Sequence, residues 1–141
     1  MMKRPVILVL SFLILAISAP LFSQTADKLE VLLGTPALTW EQAADFVQEA
    51  SSMTPGGEQN WLPKNVSLTD AARLNNVALL LMQSFDLKGG IFYTLLKSPH
   101  HAYRELVYKK VIRGSTDPDM SVSGSQLLLM VSRILAIKGE S

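Results

Sequence analysis

The chain of 141 residues contains no cysteine. That absence excludes a disulfide framework, thiolate zinc sites, a cysteine nucleophile and a lipid attached through an N-terminal cysteine. Histidine is nearly as scarce, with His100 and His101 the two copies. Adjacent side chains on a helix diverge by roughly 100°, so this pair does not easily share a metal, and no metal site is expected. There is no Gly-x-Ser-x-Gly stretch and no glycine-rich phosphate loop. No motif therefore points to a serine nucleophile or a nucleotide site, and no cofactor is expected. An excess of one charge is missing as well. Lys and Arg number 13 against 12 Asp and Glu, which gives no global argument for nucleic acid as a partner.

An apolar run of roughly 20 residues, the length of a membrane-spanning helix, is also lacking. What is present is shorter. Lys3 and Arg4 precede an almost unbroken apolar run from Val6 to Ile17, and Ala19-Pro20-Leu21-Phe22-Ser23 follows. This is the three-part layout of a secretory signal peptide, residues 1–23. Cleavage is expected after Ser23, with Ser18 and Ala19 as other sites and an uncleaved anchor as the alternative. The expected address is the periplasm or the wider cell envelope, with no stable transmembrane span after cleavage. Removing Lys3 and Arg4 leaves 11 cations against 12 carboxylates, a net charge near −1. Residues 24–141 have the length of one domain and can bury roughly two-thirds of their unfolded surface.

Apolar periodicity predicts a single all-α domain, a small bundle of five or six short helices around a central apolar helix. The central helix is expected over Ser67–Phe85. Ser67 and Asp70 suggest a capping box, and every residue from Val77 to Met82 is apolar. Before it come a short helix over Thr25–Leu33, with Leu29, Leu32 and Leu33 as its stripe, and a helix opened by Thr39 and Gln42. Its face is Trp40, Ala43, Ala44, Phe46 and Val47. After the central helix, Ile91–Leu96 reads as a short apolar helix. Ser98-Pro99 opens another helix, with Ala102, Tyr103, Leu106 and Val107 on one side. That helix is expected to stop near Lys109, with Val111 and Ile112 returning to the core. Ser123 and Gln126 cap the last helix, whose stripe is Leu127, Met130, Val131, Ile134 and Leu135. A hydrophobic residue, Ser or Thr, and then Gln or Asp three residues on thus recurs at 38–42, 66–70 and 122–126. This marks either repeated units or three separately capped helices.

Residues 101–114, from His101 through Gly114, then Asp117-Pro118-Asp119-Met120-Ser121-Val122-Ser123 and the helix to Leu135, resemble the S-layer homology (SLH) module. The SLH-like part covers residues 98–138. The resemblance implies a helix, a buried aliphatic pair leading to Gly, a turn and a capped second helix, in a module that anchors exported proteins to cell-wall polymers. The wider pattern is similar to that of small exported envelope proteins of bacteria. The family's cap motif is Thr-Arg-Ala-Glu, and its arginine helps hold the anionic wall sugar. Here Ser123-Gly124-Ser125-Gln126 and Thr39-Trp40-Glu41-Gln42 carry no arginine, and Lys110 stands where Gly is usual.

The candidate binding residues are basic and aromatic. Lys97, Arg104, Lys109, Lys110 and Arg113 are opposed between 97 and 113 by Glu105 alone, with Tyr103 and Tyr108 interleaved. Arg104, Tyr108, Lys109, Lys110 and Arg113 are expected to face an anionic envelope polymer, lipid headgroups or an acidic protein; a solvated helix face is the alternative. Trp61, in the long loop over Ser51–Lys64, either stacks on a partner or pins the loop to the core. Asp117-Pro118-Asp119 suggests a turn rather than calcium, because an EF-type loop needs more oxygen ligands. The expected function is a non-enzymatic envelope interaction module that binds a cell-wall polymer or another envelope protein. The alternatives are a cell-wall glycan hydrolase using a pair among Glu41, Glu49, Glu58 and Glu105, and a structural or chaperone-like periplasmic subunit.

Overall fold

The computed structural model describes residues 26–51 and 62–139. The expected signal peptide and Trp61 lie outside the described residues. The chain divides into two compact units after Leu32. Residues 26–33 are helical (α1) and lead into the turn at Gly34 and Pro36. Of its expected stripe only Leu32 is buried, while Leu29 and Leu33 are exposed.

The second unit is all-α. It holds α2 (Trp40–Ser51), α3 (Leu74–Ser84), α4 (Ile91–Leu96), α5 (Pro99–Tyr108) and α6 (Gly124–Gly139). Its organising feature is a closed ring of three backbone hydrogen bonds. Leu38 N–H donates to the Val122 carbonyl (2.8 Å), Val122 N–H to Ala72 (3.1 Å), and Ala72 N–H to Leu38 (2.7 Å). All three residues are fully buried, and each stands two positions before a helix, namely α2, α3 and α6.

A second set of bonds repeats the arrangement. The first amide of each helix donates to a neighbouring segment: Trp40 to the Asp70 carbonyl (3.1 Å), Leu74 to Met120 (2.8 Å) and Gly124 to Thr35 (2.9 Å). Three helix N-termini thus converge, and the first amide of each is satisfied by a segment that leads into another. Side chains complete two of the three caps. Thr39 and Gln42 exchange bonds of 3.0 and 3.2 Å, and so do Ser123 and Gln126, at 2.9 and 3.2 Å. Both are reciprocal capping boxes.

The central helix departs from expectation at its start. It begins at Leu74, seven residues after Ser67, and Arg73 at its N-cap makes no side-chain cap bond. Ser67 and Asp70 do bond, the Ser67 amide to an Asp70 carboxylate oxygen at 3.0 Å, but they close a turn. The reason lies in the backbone. The carbonyls of Leu68 and Asp70 accept from Glu41 and Trp40 at the start of α2, so this segment is extended past another helix instead of coiling on itself. The same turn recurs fifty residues later. The amide of Asp70 donates to the Ser67 carbonyl (3.0 Å), and that of Met120 to the Asp117 carbonyl (3.1 Å). The pattern at 66–70 therefore does not repeat the capped starts at 38–42 and 122–126: it forms a turn like that at 117–120, and the helix-entry positions that do match are Leu38, Ala72 and Val122.

From Asn76 to Met82 every residue of α3 is buried, and the helix packs against α5 and α2. Ser98 caps α5 by accepting from the His101 amide (3.3 Å), with Pro99 in the first turn. Tyr108 ends the helix, and Lys110 takes a left-handed conformation (φ 61°). Val111 and Ile112 then turn inward, fully or nearly buried, and both amides bond to the Leu106 carbonyl. The stop near Lys109 and the return of Val111 and Ile112 are as expected; the left-handed turn that makes them puts lysine in the place glycine usually fills. In α6, Leu127, Met130, Val131 and Ile134 are buried, but Leu135 is exposed; Val107 of α5 is exposed too, and Phe46 of α2 is half-buried.

Candidate functional site

The surface feature that stands apart is α4 with the face of α5 beside it. Its entry is tight. A Cβ on Gly89 would lie 2.5 Å from Cδ1 and 2.8 Å from Cγ of Tyr93, so only glycine passes under that ring. The Gly90 amide donates to Oε1 of Glu105 (2.7 Å), which fastens the start of α4 to α5. The exit is equally sharp, since Lys97 is left-handed (φ 43°) and its amide returns to the Tyr93 carbonyl (2.7 Å). A helix of six residues held between two such turns has room for one inward side chain. That side chain is Tyr93, 6% exposed, while Ile91, Phe92, Leu95 and Leu96 are 62 to 76% exposed. The Phe92 ring stacks on His101 (5.9 Å between centroids, 15° between planes), and His100 meets His101 edge-on.

Tyr93 is also where the electrostatics of this corner show. Burial pushes its phenol above the ordinary value of 10.0, and the carboxylates of Asp86 and Glu105 push it the same way. Glu105 is thus a structural acceptor for Gly90 and a neighbour of a buried phenol. Glu41 and Glu49 are exposed on α2.

The basic residues form a second group around the end of α5. Arg104, Lys110 and Arg113 are exposed, Lys109 is half-buried, and Tyr108 is 84% exposed. Lys110 and Arg113 are brought together, with Arg113 Nε donating to the Lys110 carbonyl (2.8 Å). Tyr103 is not part of this surface, because its hydroxyl is half-buried and bonded to Thr116. Arg113 also borders a cavity of about 150 Å³ between the loop after α5 and α6. Leu74, Val111, Ile112 and Met130 make its apolar wall, and Arg133 stands on its rim, donating to the Val111 carbonyl (3.0 Å). No carboxylate lines it. Asp117 is engaged locally, its Oδ1 accepting from the Asp119 amide (2.9 Å). Among the described residues no three His, Cys, Asp or Glu side chains converge as metal ligands.

The exposed residues of α4 are absent from the sequence-based candidates, which are all basic or aromatic. One signal for them is legible: Gly89-Gly90 and Ser98-Pro99 confine a mostly apolar segment to a length too short to be wrapped on every side. No family model, curated protein or solved structure matches the chain.

Proposed function

We propose that this protein is a non-enzymatic interaction module of the cell envelope, exported by its N-terminal segment and working through the α4–α5 corner. One observation carries this reading: four large apolar side chains, Ile91, Phe92, Leu95 and Leu96, project together from a single short helix. Contiguous exposed apolar surface of this kind marks a contact with another component rather than a solvated face. An exposed apolar patch is also the feature expected of the structural or chaperone-like alternative, in which the same corner would be the contact surface.

The test is site-specific crosslinking in intact cells, with a photoreactive group at position 95. The expected result is capture of an envelope component, and co-sedimentation with membranes and sacculi that is lost in a Leu95→Ser, Leu96→Ser variant. A protein that stays in the soluble fraction at low salt and captures nothing overturns the reading.

A second reading has its own observation. Lys109, Lys110 and Arg113 gather at one turn, and Arg113 and Arg133 border a cavity sized for a small substituent. This supports an anionic cell-wall polymer as ligand, in keeping with the SLH-like layout of residues 98–138. Replacing Lys109, Lys110 and Arg113 with Glu is then expected to abolish binding to isolated sacculi. Unchanged binding removes the polymer from consideration.

A further inference from the structure

The apolar projection of α4 is flanked by cations. Lys88 lies three residues before the helix and Lys97 directly after it, and both are exposed. Arg104 is exposed on α5, one turn beyond His101, the residue on which Phe92 stacks. From Lys88 to Arg113 the chain carries six cations against one carboxylate, Glu105. Glu105 accepts from the Gly90 amide. The other nearby carboxylate, Asp86, acts with Glu105 on Tyr93, the inward residue of α4. The excess is local, since α2 carries Glu41, Asp45 and Glu49 and no cation.

Two kinds of occupant are separated by this charge. A two-fold pairing of copies sets the same patch against itself, so Lys88, Lys97 and Arg104 would face their own kind. A bilayer with anionic headgroups meets the patch on both counts, with acyl chains for the apolar residues and phosphates for the cations. The length agrees. Four of the six side chains, Ile91, Phe92, Leu95 and Leu96, are exposed apolar groups, and six residues are far too few to span a bilayer. Lysine stems at either end can lie along apolar surface while their ammonium groups remain among the headgroups.

From this we infer that α4 is a membrane-surface anchor for anionic phospholipid. Ile91, Phe92, Leu95 and Leu96 enter the acyl boundary, and Lys88, Lys97 and Arg104 hold headgroup phosphates. The inference rests on the interaction-module reading and names its partner.

The absence of cysteine makes Leu95→Cys a unique labelling site for an environment-sensitive fluorophore. The full chain is purified in the form that cells accumulate and mixed with vesicles of phosphatidylglycerol and phosphatidylcholine, or of phosphatidylcholine alone. Flotation with the anionic vesicles, weakened by salt, and a blue shift at position 95 are expected. A matching label at Leu129, exposed on α6, stays unshifted. Lys88→Glu with Arg104→Glu weakens binding about tenfold or more, and Ile91→Ser with Leu96→Ser about 100-fold. All four residues are exposed, so these variants keep the wild-type melting temperature. No flotation, or flotation without a blue shift at position 95, overturns the anchor. If flotation fails while a crosslinker at position 95 captures an envelope protein, the lipid inference falls and the interaction module stands. If both fail, both fall.

Discussion

Helices α3 and α4 are both apolar, and they end up in opposite places. In α3 the run Val77–Met82 is buried on every side; in α4 Tyr93 alone is buried. Composition does not separate them. Length and position do. Three turns give α3 enough surface to be covered by α2 and α5, and its start is held by the ring through Ala72. Helix α4 has under two turns, pinned at Gly90 and Lys97 and leaning on α5 alone among its larger contacts. An apolar sequence is therefore a core sequence only where neighbouring elements reach around it.

The sharpest way to break this contrast is to truncate one leucine in each helix. Leu80→Ala opens a cavity in the core and is expected to cost about 2–5 kcal/mol, whereas Leu95→Ala stays within about 0.5 kcal/mol. Urea unfolding of both variants reads the difference directly. Equal costs would mean that α4 is packed as tightly as α3.

Gly89→Ala is the next largest. Its Cβ would press on the Tyr93 ring at 2.5 Å, so either the ring or the chain must move. A cost of about 1–3 kcal/mol is expected. Hydrogen exchange should quicken in α4 and remain slow in α3, because the strain falls on the anchor of α4.

Cap residues give a smaller effect and sharpen where α3 begins. Ser123→Ala removes a true N-cap and is expected to cost about 1 kcal/mol. Ser67 has the same local pattern, but its hydroxyl serves a turn, bonding the Thr69 amide at 3.3 Å on an exposed segment. Ser67→Ala is therefore expected to cost less than half as much. A full capping penalty at Ser67 would restore the helix start expected from the pattern.

That pair also shows how much was legible in advance. Local chemistry was readable wherever donor and acceptor lie within one turn. The boxes at Thr39 and Ser123, the Ser98-Pro99 start and the return of Val111 and Ile112 all form as their side chains dictate. The start of α3 was misplaced because the decisive bonds are long-range. The carbonyls at 68 and 70 are claimed by α2, and the amide of Ala72 by Leu38. Nothing near Ser67 announces those partners. The same holds for the site. The basic residues at the end of α5 were readable as a charge run, while the exposure of α4 depends on which neighbours fail to cover it.

The smallest effect at neutral pH is also the most selective for α4. Tyr93 tethers that helix, and its phenol is raised above 10.0 by burial first, then by the carboxylates of Asp86 and Glu105. The folded state thus holds the phenol proton more tightly than the unfolded chain does. Its contribution is fully present below the unfolded value near pH 10, and it is lost as pH rises through the folded value. Above about pH 10 the unfolded chain gains by ionising, and a tyrosinate at position 93 would face two carboxylates in a desolvated place. Helix α4 should then come away first. Helix α3 carries no ionisable side chain and has no such reason to loosen. The label at position 95 should report this release in alkali, and Tyr93→Phe should remove the step while leaving neutral stability within about 1 kcal/mol. If Tyr93→Phe and the wild type lose α4 at the same pH, the tether is the Gly90–Glu105 bond instead, and the two apolar helices differ only in how many neighbours reach them.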